Sequence, residues 1–119
     1  MIRLAGALIL GALALAAGRA SAHSLLLESQ PPAGAVVPAA PAEIALRFNN
    51  RIEKSLSRVR LVDPRGKTLT LAPAGATAAP DRLTAVTPPL DPGAYRVEWQ
   101  VLSTDGHVVS GSFSFRVAP

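Results

Sequence analysis

Apolar and polar residues alternate along most of the chain with a period of two. Ile44, Leu46 and Phe48 alternate with Ala45 and Arg47, Val59 and Leu61 with Arg58 and Arg60, and Leu69 and Leu71 with Thr68 and Thr70. The longest set runs Tyr95, Val97, Trp99 and Val101 against Arg96, Glu98 and Gln100, and Phe113, Phe115 and Val117 repeat it against Ser112, Ser114 and Arg116. Alternate side chains of a strand face the same side, so each set predicts one buried face. Turn chemistry separates the sets at Pro31-Pro32-Ala33-Gly34, Asp63-Pro64-Arg65-Gly66, Asp91-Pro92-Gly93 and Asp105-Gly106. The stretch from Ala72 to Pro80 is rich in Ala, Pro, Gly and Thr and reads as a long, loosely constrained loop. The pattern predicts seven strands, near residues 24–29, 43–49, 57–62, 67–71, 83–87, 94–102 and 108–117. Short strands without internal repeats predict an all-β, immunoglobulin-like Greek-key sandwich of two antiparallel sheets. Ile44, Phe48, Tyr95, Trp99, Phe113 and Phe115 are its expected core, with Trp99 as the central aromatic.

The N-terminus breaks this pattern. Arg3 is followed by an unbroken run of Leu, Ala, Ile and Gly from Leu4 to Ala17, and then by Ala20-Ser21-Ala22. A positive start, an apolar run and small residues before a cut are the marks of a secretory signal. The run falls short of the roughly 20 residues that cross a bilayer comfortably. The expectation is a cleaved signal over residues 1–22, a mature domain over 23–119, and a protein outside the cytoplasm that does not span the membrane.

Processing changes the charge. Arg3 and Arg19 leave with the signal, so 10 basic residues face 8 acidic ones in the mature domain, a net charge of +2. With no basic run and few aromatics, a nucleic-acid surface is not expected. The absence of cysteine excludes thiolate zinc sites, iron–sulfur clusters and blue-copper centres, and leaves stability to a packed core.

The mature chain holds two histidines, and both placements bear on chemistry. His23 becomes the N-terminal residue if cleavage follows Ala22, and His107 lies in Ser103-Thr104-Asp105-Gly106-His107. An N-terminal histidine offers its α-amine and its imidazole to one ion, and both groups have unperturbed pKa values low enough for a metal to displace their protons near neutral pH. His107 adds a nitrogen, and Asp105, two residues away, adds a carboxylate oxygen on the same side of an extended segment. Nitrogen-rich tetragonal coordination suits Cu(II) best among the common divalent ions. Plain readings stand beside this one. A terminal histidine can be incidental, Asp105-Gly106 is also a turn signal, and His107 alone reads as a surface histidine.

Over essentially its whole mature length the chain resembles the CopC family of periplasmic copper-resistance proteins. The resemblance is carried by His23, by Ser29-Gln30-Pro31-Pro32-Ala33-Gly34 and by Ala40-Pro41-Ala42-Glu43-Ile44-Ala45-Leu46-Arg47-Phe48. It is most specific from Gly93-Ala94-Tyr95-Arg96-Val97-Glu98-Trp99 through Gln100-Val101-Leu102-Ser103-Thr104-Asp105-Gly106-His107, and closes on Gly111-Ser112-Phe113-Ser114-Phe115. It implies a periplasmic β-sandwich copper carrier, not an enzyme. One Cu(II) per chain would be held by the amine and imidazole of His23, by Asp105 and by His107. The resemblance also implies work beside a CopD-type inner-membrane protein, and a monomer is expected.

Two departures qualify it. Where some members carry a glutamate after the first core strand, this chain has Asn49-Asn50, with Glu53 nearby. Members with a second, Cu(I) site carry a methionine-rich loop, whereas the one methionine here is Met1, so a Cu(II)-only member is implied. Two other functions compete. A pair of histidines with one at the N-terminus is also the metal pattern of histidine-brace copper oxidases and monooxygenases. An immunoglobulin-like interaction module would need no metal.

Overall fold

The computed structural model describes residues 24–74 and 79–119; the predicted signal and His23 lie outside the described residues. The described chain forms nine strands, β1 (Leu26–Gln30), β2 (Val36–Val37), β3 (Glu43–Phe48), β4 (Arg58–Val62), β5 (Thr68–Thr70), β6 (Ala72–Ala74), β7 (Arg82–Val86), β8 (Gly93–Leu102) and β9 (Val108–Val117). A short 3-10 turn, Lys54–Leu56, precedes β4. One sheet has four strands in the order β1-β3-β7-β6, the other five in the order β2-β9-β8-β4-β5. Each sheet buries one face against the other, as the alternation requires, and the all-β sandwich expected from the sequence is the fold observed.

The buried faces are those the period of two picks out. Ile44, Leu46 and Phe48 of β3 meet Val59 and Leu61 of β4 and Tyr95, Val97, Trp99 and Val101 of β8, all within 8% exposure. Trp99 packs edge-on against Phe48, with ring centroids 5.2 Å apart, and Tyr95 stacks on Phe115 at 5.6 Å. The indole lies directly over Gly111, its register partner on β9, where a Cβ would come within 2.3 Å of the ring. Phe113, expected in the core, is only partly buried and packs against its margin.

Two elements differ from expectation. Ala72–Ala74, expected as loop, is β6, which pairs antiparallel with β7 at the edge of the smaller sheet. Pro73 sits opposite Ala85 there, and an edge strand tolerates the missing N–H of proline. Val36–Val37 adds β2, which pairs with β9 in parallel, so the larger sheet is not purely antiparallel.

The β8–β9 hairpin positions the candidate site. Its ten register pairs run from Gly93↔Val117 to Leu102↔Val108, and the connection at its tip is Ser103–His107. The Ser103 N–H donates to the His107 carbonyl and the Gly106 N–H to the Ser103 carbonyl, both at 2.9 Å, which closes the tip tightly.

Candidate metal centre

Asp105 and His107 meet at the hairpin tip. Gly106, between them, has φ +85°, a left-handed conformation that an L side chain resists, and it folds the chain back so that both side chains share one side. Asp105 Oδ1 accepts the His107 backbone N–H at 3.0 Å, and Asp105 Oδ2 lies 3.0 Å from His107 Nδ1. The carboxylate is mostly covered, at 21% side-chain exposure, while the imidazole is 65% exposed. A carboxylate against Nδ1 fixes both the tautomer and the plane of an imidazole, as commonly found behind metal-bound histidines.

Ser24, the first of the described residues, is fastened beside this tip. Ser24 is fully buried; its N–H donates to Ser103 Oγ at 2.9 Å, and the two hydroxyls hydrogen-bond at 2.7 Å. One residue on, the Leu25 N–H donates to Asn49 Oδ1 at 2.7 Å and the Leu25 carbonyl accepts the Asn49 N–H at 3.0 Å. Ser103 is therefore both the first residue of the turn that carries Asp105 and His107 and the anchor for the residue that follows His23. Neither serine carries a sequence signal of a site, whereas Asn49 stands where some family members have a glutamate. The Asn49 amide oxygen accepts the Leu25 backbone N–H, and the Glu53 N–H donates to the Leu102 carbonyl at 2.9 Å.

Among the described residues no group of three or more His, Cys, Asp or Glu side chains is assembled. Asp105 and His107 supply two donors, and His23 lies outside the described residues. A surface hollow of about 340 Å³ sits on the outer face of the smaller sheet, lined by Glu28, Glu43, Arg47 and Arg82 among others, away from the tip. An exposed imidazole beside a largely covered carboxylate can take an ion without an enclosed pocket.

A family model described as the CopC domain matches residues 26–118. The chain belongs to the CopC family. A CopC-family relative named copper resistance protein C, from Xanthomonas campestris pv. juglandis, is 38% identical over 121 residues, covering 96% of this chain and 94% of the relative. The crystal structure of CopC from Methylosinus trichosporium OB3b superposes with a TM-score of 0.74 at 36% identity, over 82% of this chain and 95% of that one. PcoC, described as a methionine-rich copper resistance protein from Escherichia coli, gives a TM-score of 0.67 at 30% identity, over 80% of this chain and 98% of its own. Among the described residues of this CopC-family chain, no helix is long and apolar enough to cross a membrane.

Proposed function

We propose that the protein is exported, loses residues 1–22, and holds one Cu(II) ion per chain through the amine and imidazole of His23 together with Asp105 and His107, so as to buffer or deliver copper in the periplasm. The observation that carries this reading is the anchoring of Ser24 on Ser103. A peptide bond sets consecutive Cα atoms about 3.8 Å apart, so fastening Ser24 to the first residue of the Asp105–His107 turn keeps the terminal residue near that turn. Asp105 Oδ2 and His107 Nδ1 lie 3.0 Å apart, a separation suited to two neighbouring ligands of one ion at about 2 Å each, so both side chains can turn to it once Nδ1 gives up its proton. The copper-resistance relatives support the choice of metal.

The role proposed is binding, not catalysis. Asp105 as a ligand would occupy a coordination position that oxygen chemistry needs open. The site is selective for Cu(II), because the methionine-rich character named for PcoC has no counterpart: no methionine follows Met1. The protein acts as a monomer and exchanges copper with a CopD-type membrane protein. A processed chain with its native His23 terminus should take up one equivalent of Cu(II) with a nitrogen-rich paramagnetic resonance spectrum. One extra glycine before His23 retains the imidazole and the fold but removes the amine chelate. Affinity should then drop by orders of magnitude, and equal affinity for the two chains would eliminate the terminal-histidine mechanism.

A further inference from the structure

The two outward faces of the sandwich differ in charge. On the smaller sheet Glu28, Glu43, Arg47 and Arg82 point outward, two acids and two bases, with Glu28 and Arg47 paired at 3.1 Å. On the larger sheet the outward positions of three adjacent strands carry Arg58 and Arg60 of β4, Arg96 of β8 and Arg116 of β9, against the single acid Glu98. Register puts them on one surface: Arg60 lies opposite Glu98, which lies opposite Ser112, while Arg96 lies opposite Ser114 and Ala94 opposite Arg116. All four arginines are exposed, and only Arg96 is paired with Glu98, at 3.6 Å.

The relief of this face is as telling as its charge. Ser110, Ser112 and Ser114 form an exposed row of short side chains along β9, and Gln100 and Glu98 occupy the middle. No aromatic or large apolar side chain stands at its centre, where a tight protein interface keeps its anchors. The exposed apolar residues Val36 and Val108 lie at its two ends, beside Arg116 and Leu102. Strand spacing and rise spread the arginines over roughly 10 by 20 Å. A broad, shallow surface of guanidinium groups, with no central anchor, matches a plane of phosphates better than a shaped partner, because each planar guanidinium binds a phosphate bidentately.

We infer that the outer face of the β2-β9-β8-β4-β5 sheet docks the protein on an anionic phospholipid bilayer through Arg58, Arg60, Arg96 and Arg116. This goes beyond copper binding and does not depend on it, since none of the four arginines is at the hairpin tip. The attraction is electrostatic and reversible, and salt weakens it because exposed charges are screened within about 8–10 Å at physiological ionic strength.

The test is co-sedimentation of the exported, processed protein with vesicles of phosphatidylglycerol mixed into phosphatidylcholine, against pure phosphatidylcholine vesicles, at low and physiological salt. The expected result is binding to the anionic vesicles alone, weakening as salt rises. The triple variant R60A/R96A/R116A should partition roughly two orders of magnitude more weakly, at about fivefold per basic residue. The corresponding triple lysine variant keeps the charge but not the bidentate forks, and should bind less tightly than the native protein and more tightly than the alanine variant. Circular dichroism of both variants checks the fold. Equal binding to neutral vesicles, or binding unchanged in the alanine variant, would overturn the proposal. So would failure to bind anionic vesicles, the result expected if an acidic protein is the real partner of this face.

Discussion

Ser24 and Ser103 are 79 residues apart in sequence, yet their hydroxyls lie 2.7 Å apart in a spot closed to water. Small polar residues at such separation carry no periodicity, so this contact was invisible in the sequence, whereas Asp105 and His107 stood out through residue type and spacing. The hidden residues are the ones that fix geometry. Ser103→Ala removes the acceptor of the Ser24 N–H and leaves a buried donor unpaired, at a cost of about 1–3 kcal/mol. No proposed ligand is altered. Copper affinity should nonetheless fall about ten- to a hundredfold, the usual effect of removing a group that orients ligands, with the same set of donor atoms in the resonance spectrum. Isothermal titration beside a thermal melt separates the two effects, and unchanged affinity at lowered stability would show that the anchor is structural only. His107→Ala should weaken binding far more while leaving the melt of the metal-free protein in place, because the imidazole is largely exposed.

At the scale of elements, what could be read in advance was whatever repeats. β3, β4, β8 and β9 each show three or more alternations or a clear apolar pair, and their predicted spans lie within a residue of those observed. β2 and β6 have two and three residues, too few for any period, and exist because backbone amides at a sheet edge found partners. Phe113 shows a related limit: alternation gives the face a residue is on, but not how far the opposing sheet extends to cover it. The β8–β9 hairpin also depends on a glycine whose role only packing reveals. Gly111→Ala would drive a methyl group into the Trp99 indole, itself held by Phe48, so urea unfolding should show a loss of about 1–3 kcal/mol from overpacking. Tyr95, at the other end of β8, gives the hairpin a pH dependence. Burial, then the nearby Asp91 and Asp63 carboxylates, raise its phenol above the ordinary 10, and the hydroxyl donates to the Asp91 carbonyl at 2.6 Å. The folded state therefore holds the phenol proton longer than the unfolded state does. This contribution is complete below pH 10 and is lost as pH rises through the higher folded value. Tyr95→Phe should remove that alkaline decline in a pH series of melts while costing about 1 kcal/mol at neutral pH through the lost hydrogen bond.

For the molecule as a whole, the question is whether copper is part of the fold or its cargo. Among the described residues, the fifteen buried hydrophobic ones draw on both sheets and include neither Asp105 nor His107. Their removal from water is the dominant stabilising term, and it is present with or without an ion. Asp105 and His107 sit instead at one end, on a hairpin tip to which Ser24 is fastened. Stripping the processed protein with a chelator should therefore leave its β-rich circular dichroism unchanged. Binding to the folded state alone still stabilises that state by mass action, by about 4 kcal/mol at a free ligand concentration near a thousand times Kd. For a domain of this size each kcal/mol moves Tm by roughly 4–8 °C, so Cu(II) should raise the melting temperature of the processed chain well beyond scatter, and chelation should return it. A precursor retaining residues 1–22 has the same core but an amide where the terminal amine would be, so copper should shift its melt little. If chelation unfolds the processed chain, copper is structural and the division between core and cargo site is wrong. If precursor and processed chain shift alike, the ion is held without the terminal amine, and Asp105 and His107 must find their remaining partners elsewhere.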